Sequence, residues 1–404
     1  MQEFDTYCPA PWHSGFYTFT EQSVCCAHAA QKGTSVIEFL NSDHVRTVKQ
    51  NLINGTPDEF CQRCFDVERA GGKSMRQCYA DNKALRGPSN RDPEAATVPE
   101  QIEIRLGNLC NYKCRICAPK WSSSIDREVS DNPELKKYFH SQELDMGRQY
   151  ANQKFVEEIV SLMPNVKWLN FTGGEPMIIP ELLPIIDSAV QGGFSKDMNL
   201  QITTNGSAIN PKLLEAFGHF RGVQLTISID GVGKYAEYIR HGTVWTKFEQ
   251  NFNQYMSLIR NNPTTIGCNP NIALSAYSVF NLDLVLEFLL PYWNEYLITF
   301  DAVLVEDNTS AWHLAGSARA KAIDSLYRAW NVLSQNPPRE NDFKRSSGGY
   351  PQDLTRLKNQ IWSLREQLIN QQPDPEKSAT LRSLTADLDR VRGENFRQLF
   401  GFDL

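Results

Sequence analysis

Residues 101–117 read QIEIRLGNLCNYKCRIC, and this stretch decides how the rest of the chain is read. Residues 101–107 alternate apolar and polar side chains, with Ile102, Ile104 and Leu106 on one side and Glu103 and Arg105 on the other. That period of two predicts a strand. Cys110, Cys114 and Cys117 follow at once in C-x3-C-x2-C spacing, on a loop leaving the strand's C-terminal end. Downstream, strands are predicted at 166–172, 198–203, 223–230, 271–276 and 296–304. Helices are predicted between them at 151–163, 180–191, 211–217, 246–260 and 281–290, with a last one near 314–335. Pro180 near one helix start, Gly192 and Gly193 at its end, and Gly218 after the next are ordinary helix punctuation. Six β-then-α units predict an α/β fold with a parallel sheet and right-handed crossovers, curled into a partial (β/α)6 TIM-like barrel. Reactive groups then belong at the C-terminal ends of the strands.

Upstream of this stretch the composition changes. The 404-residue chain has ten cysteines, at 8, 25, 26, 61, 64, 78, 110, 114, 117 and 268, so nine fall in the first 117 residues. Residues 1–80 are aromatic-rich and weakly periodic, which predicts a small domain organised by something other than a large core. Residues 81–100, with Pro88, Pro93 and Pro99 among polar residues, read as a linker. The net charge of −6 argues against bulk binding to a phosphate backbone, though a local basic groove survives that argument, and no nucleic-acid binding is evident. No apolar run reaches the ~18 residues of a membrane helix, and residues 1–5 lack the basic start of a signal peptide. A soluble, cytoplasmic protein is expected. Disulfides are disfavoured there, and clustered cysteines more often bind metal.

After the predicted barrel (101–336), residues 337–351 (PPRENDFKRSSGGYP) are a strong breaker. Two helical runs follow within 337–404. Leu354, Leu357, Ile361, Leu364 and Leu368 form one apolar seam, and Leu381, Leu384, Leu388 and Val391 another, with Pro373 and Pro375 between them. This predicts a C-terminal helical hairpin. Its seams serve packing on the barrel or on each other, or contact with a partner.

Three thiolates on one loop suit three corners of a cubane iron–sulfur cluster. Four-cysteine ligation is usual, so a three-cysteine loop leaves one iron open. A zinc site short of one ligand, or three unconnected thiols, fit the same spacing. Three further motifs end strands on the predicted reactive rim: Phe171-Thr172-Gly173-Gly174-Glu175-Pro176, Thr203-Thr204-Asn205-Gly206 and Ser228-Ile229-Asp230-Gly231. Paired glycines let backbone approach a ligand, and a neighbouring carboxylate suits an ammonium group. Each is ordinary alone; in this order behind the cysteine loop they are specific.

Together these motifs resemble the radical S-adenosylmethionine (SAM) superfamily across residues 101–304. The resemblance implies a [4Fe–4S] cluster on Cys110, Cys114 and Cys117, with SAM on its open iron. It places Gly173, Gly174 and Glu175, between Thr172 and Pro176, at the methionyl ammonium. Thr204, Asn205, Ser228 and Asp230 fall near the ribose and carboxylate, and Arg240 on the carboxylate. The stretch 271–276, with Ala273, falls beside the adenine. Ile116 stands where the family usually has an aromatic residue against the adenine; an aliphatic side chain still fills that space. The implied chemistry is reductive cleavage of SAM to a 5′-deoxyadenosyl radical that abstracts hydrogen from a substrate, with flavodoxin or ferredoxin as an expected electron donor.

The N-terminal cysteines form a second set: Cys8 before Pro11-Trp12, then Cys25-Cys26, then Cys61-Gln62-Arg63-Cys64. Spacing alone leaves zinc and iron–sulfur both open. The order of these cysteines with Glu68, Ser74 and Arg76 resembles the twitch-domain branch of the same superfamily, here N-terminal to the barrel. That resemblance implies an auxiliary [4Fe–4S] cluster on Cys8, Cys25, Cys61 and Cys64, with Cys26 as the alternative to Cys25. Cys78 and Cys268 remain, as weak candidates for a catalytic thiol or as ordinary cysteines. The seven histidines show no metal-ligand spacing. Tyr235, Tyr238, Tyr277, Trp245 and Trp312 line a substrate cavity or belong to the core. The expected substrate is a peptide or protein side chain; a small polar metabolite undergoing dehydrogenation or rearrangement is the alternative. A non-enzymatic metal-binding scaffold is the reading from a different class.

Overall fold

The computed structural model describes residues 6–18, 20–33, 35–69, 74–81, 92–147, 149, 151–295, 298, 301–336 and 354–404. It is a mixed α/β protein whose sheet is mainly parallel. Two compact units interleave along the chain. The first takes residues 1–107, 150–202 and 215–221; the second takes 108–149, 203–214 and 222–404.

The first unit is built on a parallel sheet. Gln101–Arg105 pairs with Trp168–Thr172, which pairs in turn with Asn199–Thr204, all parallel. The predicted alternation holds, since Ile102, Ile104, Leu169 and Phe171 are buried while their neighbours are half-buried. Helix Gln153–Leu162 is capped by Asn152, whose Oδ1 accepts from the Phe155 N–H at 2.8 Å. It buries Phe155, Ile159 and Leu162, one helical face. Helix Leu182–Gln191 buries Leu182, Ile185, Ile186 and Ala189 and stops at Gly192, with Gly193 in the left-handed region at φ 73°.

The N-terminal residues join this sheet. Ser14–Thr18 lies parallel to Gln101–Arg105 in full register, and its other edge carries the antiparallel strands Glu21–Ser23 and then Gln31–Lys32. A reading that set residues 1–80 apart did not foresee this pairing, because all five residues of Ser14–Thr18 are buried and no alternation betrays the strand. Part of the expected linker is likewise tied down. The Val98 and Glu100 N–H groups donate to Trp12 and His13 carbonyls at 3.0 and 2.8 Å. Trp12 Nε1 donates to the Asp92 carbonyl and Lys49 Nζ to the Ala95 carbonyl, at 2.8 and 2.7 Å. Residues 82–91 of that expected linker lie outside the described residues.

In the second unit Gly222–Ile227 pairs parallel with Ile266–Cys268, and Asn271–Leu274 with Asp301–Leu304. Residues 296, 297, 299 and 300 of the last predicted strand are outside the described set, as is the breaker at 337–351. Helix Trp245–Asn261 buries Phe248, Phe252, Tyr255, Met256 and Ile259. Helices Leu354–Asn370 and Pro375–Arg392 bury the predicted seams, with Val391 half-buried. The first packs along helix Gly316–Gln335 and the second against the turn Pro133–Tyr138. Leu384 and Leu388 close a cluster with Ile125, Val129, Leu135 and Tyr138, against which Cys117 and Val391 pack. Among the described residues no helix is long and apolar enough to cross a membrane.

Candidate functional site

Two sets of thiols dominate, one in each unit. In the second unit the cysteine loop is pinned by its neighbours. The Ser123 N–H donates to the Asn108 carbonyl at 2.7 Å, and the Ser124 and Ser122 hydroxyls donate to the Cys110 and Tyr112 carbonyls at 2.7 and 2.8 Å. Lys113–Cys114 pairs antiparallel with Arg240–His241, and the Arg115 N–H donates to the Ile239 carbonyl at 2.8 Å. This brings the thiols together. Burial, followed by the neighbouring Cys114 and Cys110 thiols, raises the Cys117 thiol strongly. Burial also raises Cys114, partly offset by Arg240.

The strand-end motifs of this unit converge beside that loop. Asn205 Nδ2 lies 3.9 Å from Cys110 Sγ and donates to Asn111 Oδ1 at 3.0 Å; the Ser207 hydroxyl donates to the same oxygen at 3.2 Å. Asn205, Ser228, Asp230 and Arg240 line one pocket of about 200 Å3, walled by Trp245 and Phe248. Arg240 Nη1 donates to Asp230 Oδ2 at 2.6 Å, and Asp230 Oδ1 accepts the Ala273 N–H at 2.7 Å. Burial works against the Arg240 charge, but Cys114, Asp230 and Cys110 outweigh it and hold the guanidinium protonated. Its Nε is buried with no hydrogen-bond partner among the described residues. A cation with an unspent N–H on a pocket wall suits a carboxylate. Gly231 belongs to the same wall, where an added Cβ would come within 2.7 Å of the Ala236 nitrogen. Thr204 is buried and not among the lining residues; its hydroxyl accepts the Gly206 N–H at 3.1 Å and its carbonyl the Ser228 N–H at 2.9 Å. Ile116 is half-buried.

Arg115, inside the cysteine loop, drew no notice in the sequence. Its side chain is fully buried and stacks 3.6 Å from the centre of the Tyr238 ring. Nη2 contacts Asp389 and Glu394 at 2.5 Å each, and Nε donates to the Tyr238 carbonyl at 3.1 Å. Beside it Lys113 and Arg392 flank buried Glu128 at 2.8 and 2.7 Å. Burial raises the Glu128 and Glu394 carboxyls, but Arg392 and Lys113 on one, and His241 and Arg115 on the other, bring both below the ordinary range. The C-terminal helices therefore clamp the cysteine loop through ion pairs. The aromatic candidates divide. Trp245 lines the pocket. Tyr277 bonds Thr385, Tyr238 bonds Asp389, and Trp312 bonds Gln367, so these three brace the C-terminal helices. Tyr235 meets the Phe400 ring at a tilt, with centroids 5.2 Å apart.

Thr172-Gly173-Gly174-Glu175-Pro176 stands in the first unit. Gly173 and Gly174 take φ of 76° and 52°, and a Cβ on Gly173 would fall 2.8 Å from Arg105 Cγ. Only glycine meets both demands. Glu175 is fully buried, and its Oε1 accepts the Met177 N–H at 3.1 Å, closing the turn at Pro176. Thr172 donates to Glu103 Oε1 at 2.9 Å and accepts from Arg105 Nε at 3.3 Å.

The second thiol set lies wholly in the first unit. Cys8, Cys25, Cys61 and Cys64 line one pocket of about 360 Å3, together with His28 and Arg76. Cys8 precedes helix Ala10–His13, Cys25 follows strand Glu21–Ser23, and Cys61 and Cys64 share a face where a short turn enters helix Gln62–Arg69. Cys26 is exposed and is not among the lining residues. Burial pushes the Cys25 and Cys61 thiols up to about 12 and Cys8 well above its ordinary value. Four sulfurs in one pocket fit a cubane cluster, and their number also fits zinc. Arg76 is committed to Glu68 at 2.5 Å and to the Tyr7 carbonyl at 2.8 Å. Sequence spacing missed His28, whose ring nitrogen lies with an Asp58 oxygen and Cys61 Sγ in a group within 4.8 Å of one another. Thirty residues separate it from Asp58, too far for a spacing motif. Cys78, in helix Met75–Asp81, is not among the lining residues of this pocket. Cys268 is fully buried within its strand.

Residues 104–268 match the family described as the Radical SAM superfamily. The chain is 22% identical over 239 residues to the radical SAM cyclopropyl synthase TigE of Paramaledivibacter caminithermalis, covering 59% of this chain and 48% of that protein. It is 27% identical over 135 residues to an S-adenosylmethionine-dependent nucleotide dehydratase of Selenomonas ruminantium, covering 33% and 39%. The matches thus span less than half the length of these curated relatives. Among solved structures, SuiB of Streptococcus suis bound to S-adenosylmethionine aligns at 13% identity and TM-score 0.40, over 73% of this chain and 64% of that one.

Proposed function

From the radical SAM superfamily segment at residues 104–268, we propose that this protein is an enzyme that cleaves SAM reductively and uses the resulting radical to abstract hydrogen from a substrate. The observation that carries the reading is the convergence of Asn205, Ser228, Asp230 and Arg240 on one pocket beside the Cys110 thiol. A [4Fe–4S] cluster with SAM on its open iron supplies a 5′-deoxyadenosyl radical when one external electron arrives. Cys110, Cys114 and Cys117 hold that cluster, and Asn205 fixes the loop's first turn through Asn111. Arg240 takes the methionyl carboxylate on its unspent Nε, while Asp230 orients Arg240 and the Ala273 backbone. Gly173, Gly174 and Glu175 serve the methionyl ammonium. Trp245 and Phe248 keep water from that wall.

The N-terminal thiols Cys8, Cys25, Cys61 and Cys64 hold an auxiliary [4Fe–4S] cluster in a twitch-like domain. With four thiolates its irons are fully ligated, so electron relay or structural support outranks substrate binding there. The substrate in this reading is a peptide or protein side chain. The nucleotide dehydratase among the relatives keeps a small polar metabolite as a second reading.

The test is anaerobic reconstitution, then dithionite and SAM. 5′-Deoxyadenosine is the expected product, with about eight irons per chain. Intact cluster absorbance without that product overturns the enzymatic reading. One or two zincs and no visible colour favour a metal-binding scaffold instead.

A further inference from the structure

His28 is an unsatisfied group in a pocket that is otherwise accounted for. It is 5% exposed and lines the pocket of Cys8, Cys25, Cys61 and Cys64. Both of its ring nitrogens are buried, with no hydrogen-bond partner among the described residues. The ring is held in place. It stacks on Phe60 with centroids 5.4 Å apart and meets the edge of His44 at 5.4 Å. Its backbone N–H donates to the Cys25 carbonyl at 3.3 Å, and the next N–H, of Ala29, donates to the Phe60 carbonyl at 3.2 Å. An imidazole carries at least one ring N–H in either charge state, so His28 always has a donor to place. Buried donors are normally paired; one ring nitrogen lies within 4.8 Å of Cys61 Sγ and of an Asp58 oxygen, and the two Asp58 oxygens already accept from the Asn51 amide and the Phe60 N–H. The pocket's other strong donor, Arg76, is already committed to Glu68.

We propose that His28 donates its ring N–H to a sulfur of the auxiliary cluster, on the Cys61 side, and thereby sets that cluster's reduction potential. The inference rests on the reading of these four thiols as cluster ligands. Four thiolates already occupy four irons, so the imidazole acts as a donor and not as a ligand. An N–H aimed at sulfur draws electron density from the iron and eases reduction. His28 is in these terms a positioning and tuning residue.

The experiment uses the full chain with Cys110, Cys114 and Cys117 replaced by alanine, so that the auxiliary site is read alone. Iron content and an EPR-monitored potentiometric titration are measured for this protein and for two variants of it. His28→Phe keeps the stack on Phe60 and removes the donor; His28→Gln restores an N–H. The expected result is about four irons in all three, a more negative midpoint for His28→Phe, and recovery toward the parent for His28→Gln. An unchanged midpoint in His28→Phe with its iron retained overturns the proposal. Loss of iron from both variants also overturns it, by making His28 a ligand. A second measurement needs no variant. Pulsed EPR on protein labelled with 15N-histidine is expected to give a weak nitrogen coupling and an exchangeable proton coupling; a strong nitrogen coupling, or none, overturns the proposal. If the parent protein binds zinc or no metal at all, the auxiliary-cluster reading fails and takes the proposal with it.

Discussion

Arg240 divides its guanidinium between two tasks. One nitrogen holds Asp230, and another is buried and unpaired among the described residues. If that nitrogen takes the carboxylate of SAM, Arg240→Met removes a charged hydrogen bond of about 1.5–3 kcal/mol, or about 10–150-fold in affinity. The expected outcome is full iron content with weaker SAM binding, read from the change SAM makes in the EPR signal of the reduced cluster. Unaltered affinity would move the carboxylate elsewhere. Cys25 and Cys26 offer a second comparison, since only Cys25 lines the N-terminal pocket. Cys26→Ser is expected to keep all its iron and Cys25→Ser to lose about four atoms by colorimetric assay; the reverse result would reassign the ligand. The thiols and strand-end motifs were legible because each is local in sequence. Arg115 was not, since its carboxylate partners lie 274 and 279 residues away. No spacing rule encodes a pair at that distance.

Helix Pro375–Arg392 and the short helix Phe396–Phe400 frame carboxylates that neutralise the cysteine loop. The arrangement is asymmetric. Arg115 is fully buried, whereas the Asp389 and Glu394 side chains are 14% and 19% exposed. Stranding the buried cation should therefore cost more than stranding the carboxylates, which water still reaches. Asp389→Asn combined with Glu394→Gln is expected to lose about 3–5 kcal/mol in denaturant unfolding, and Arg115→Met clearly less; equal losses would refute the asymmetry. Acid should loosen the same helix. Glu128 and Glu394 are held below the ordinary carboxylate range. Asp387, bonded first by the Tyr138 hydroxyl and then by Lys137, is lowered to about 2. Groups depressed in the folded state contribute fully above their unfolded values, near about 4, and lose that contribution as the pH falls through the folded ones. Hydrogen exchange, corrected for intrinsic rate, is expected to show Pro375–Arg392 opening at about pH 3 and protected at about pH 6; equal protection would contradict this. The seams of these helices were readable because leucines repeat at helical spacing. Helix Ser123–Asp131 was not, because it buries Asp126 and Glu128 beside Ile125 and Val129. Asp126 accepts the Met146 and Gly147 N–H groups at 3.1 and 2.8 Å. Buried polar work of this kind erases the apolar stripe that announces a helix.

At the scale of the whole molecule, the units are assembled from segments far apart in sequence. The parallel register of Ser14–Thr18 on Gln101–Arg105 makes the N-terminal cysteine pocket part of a larger sheet. A fragment of residues 1–80 is therefore expected to be insoluble or to retain no iron, because it exposes a bare strand edge. Recovery of a soluble, coloured fragment would show that the region folds alone. A change of composition along the chain marked where residues 1–80 differ, but it held no record of pairing between strands so distant. The same pairing orders events during synthesis. Ser14–Thr18 leaves the ribosome long before Gln101–Arg105 exists to receive it, so the thiols at 8, 25, 61 and 64 spend that interval without their finished frame. The pocket they line is complete only once that strand has been made, when more than a quarter of the chain is built.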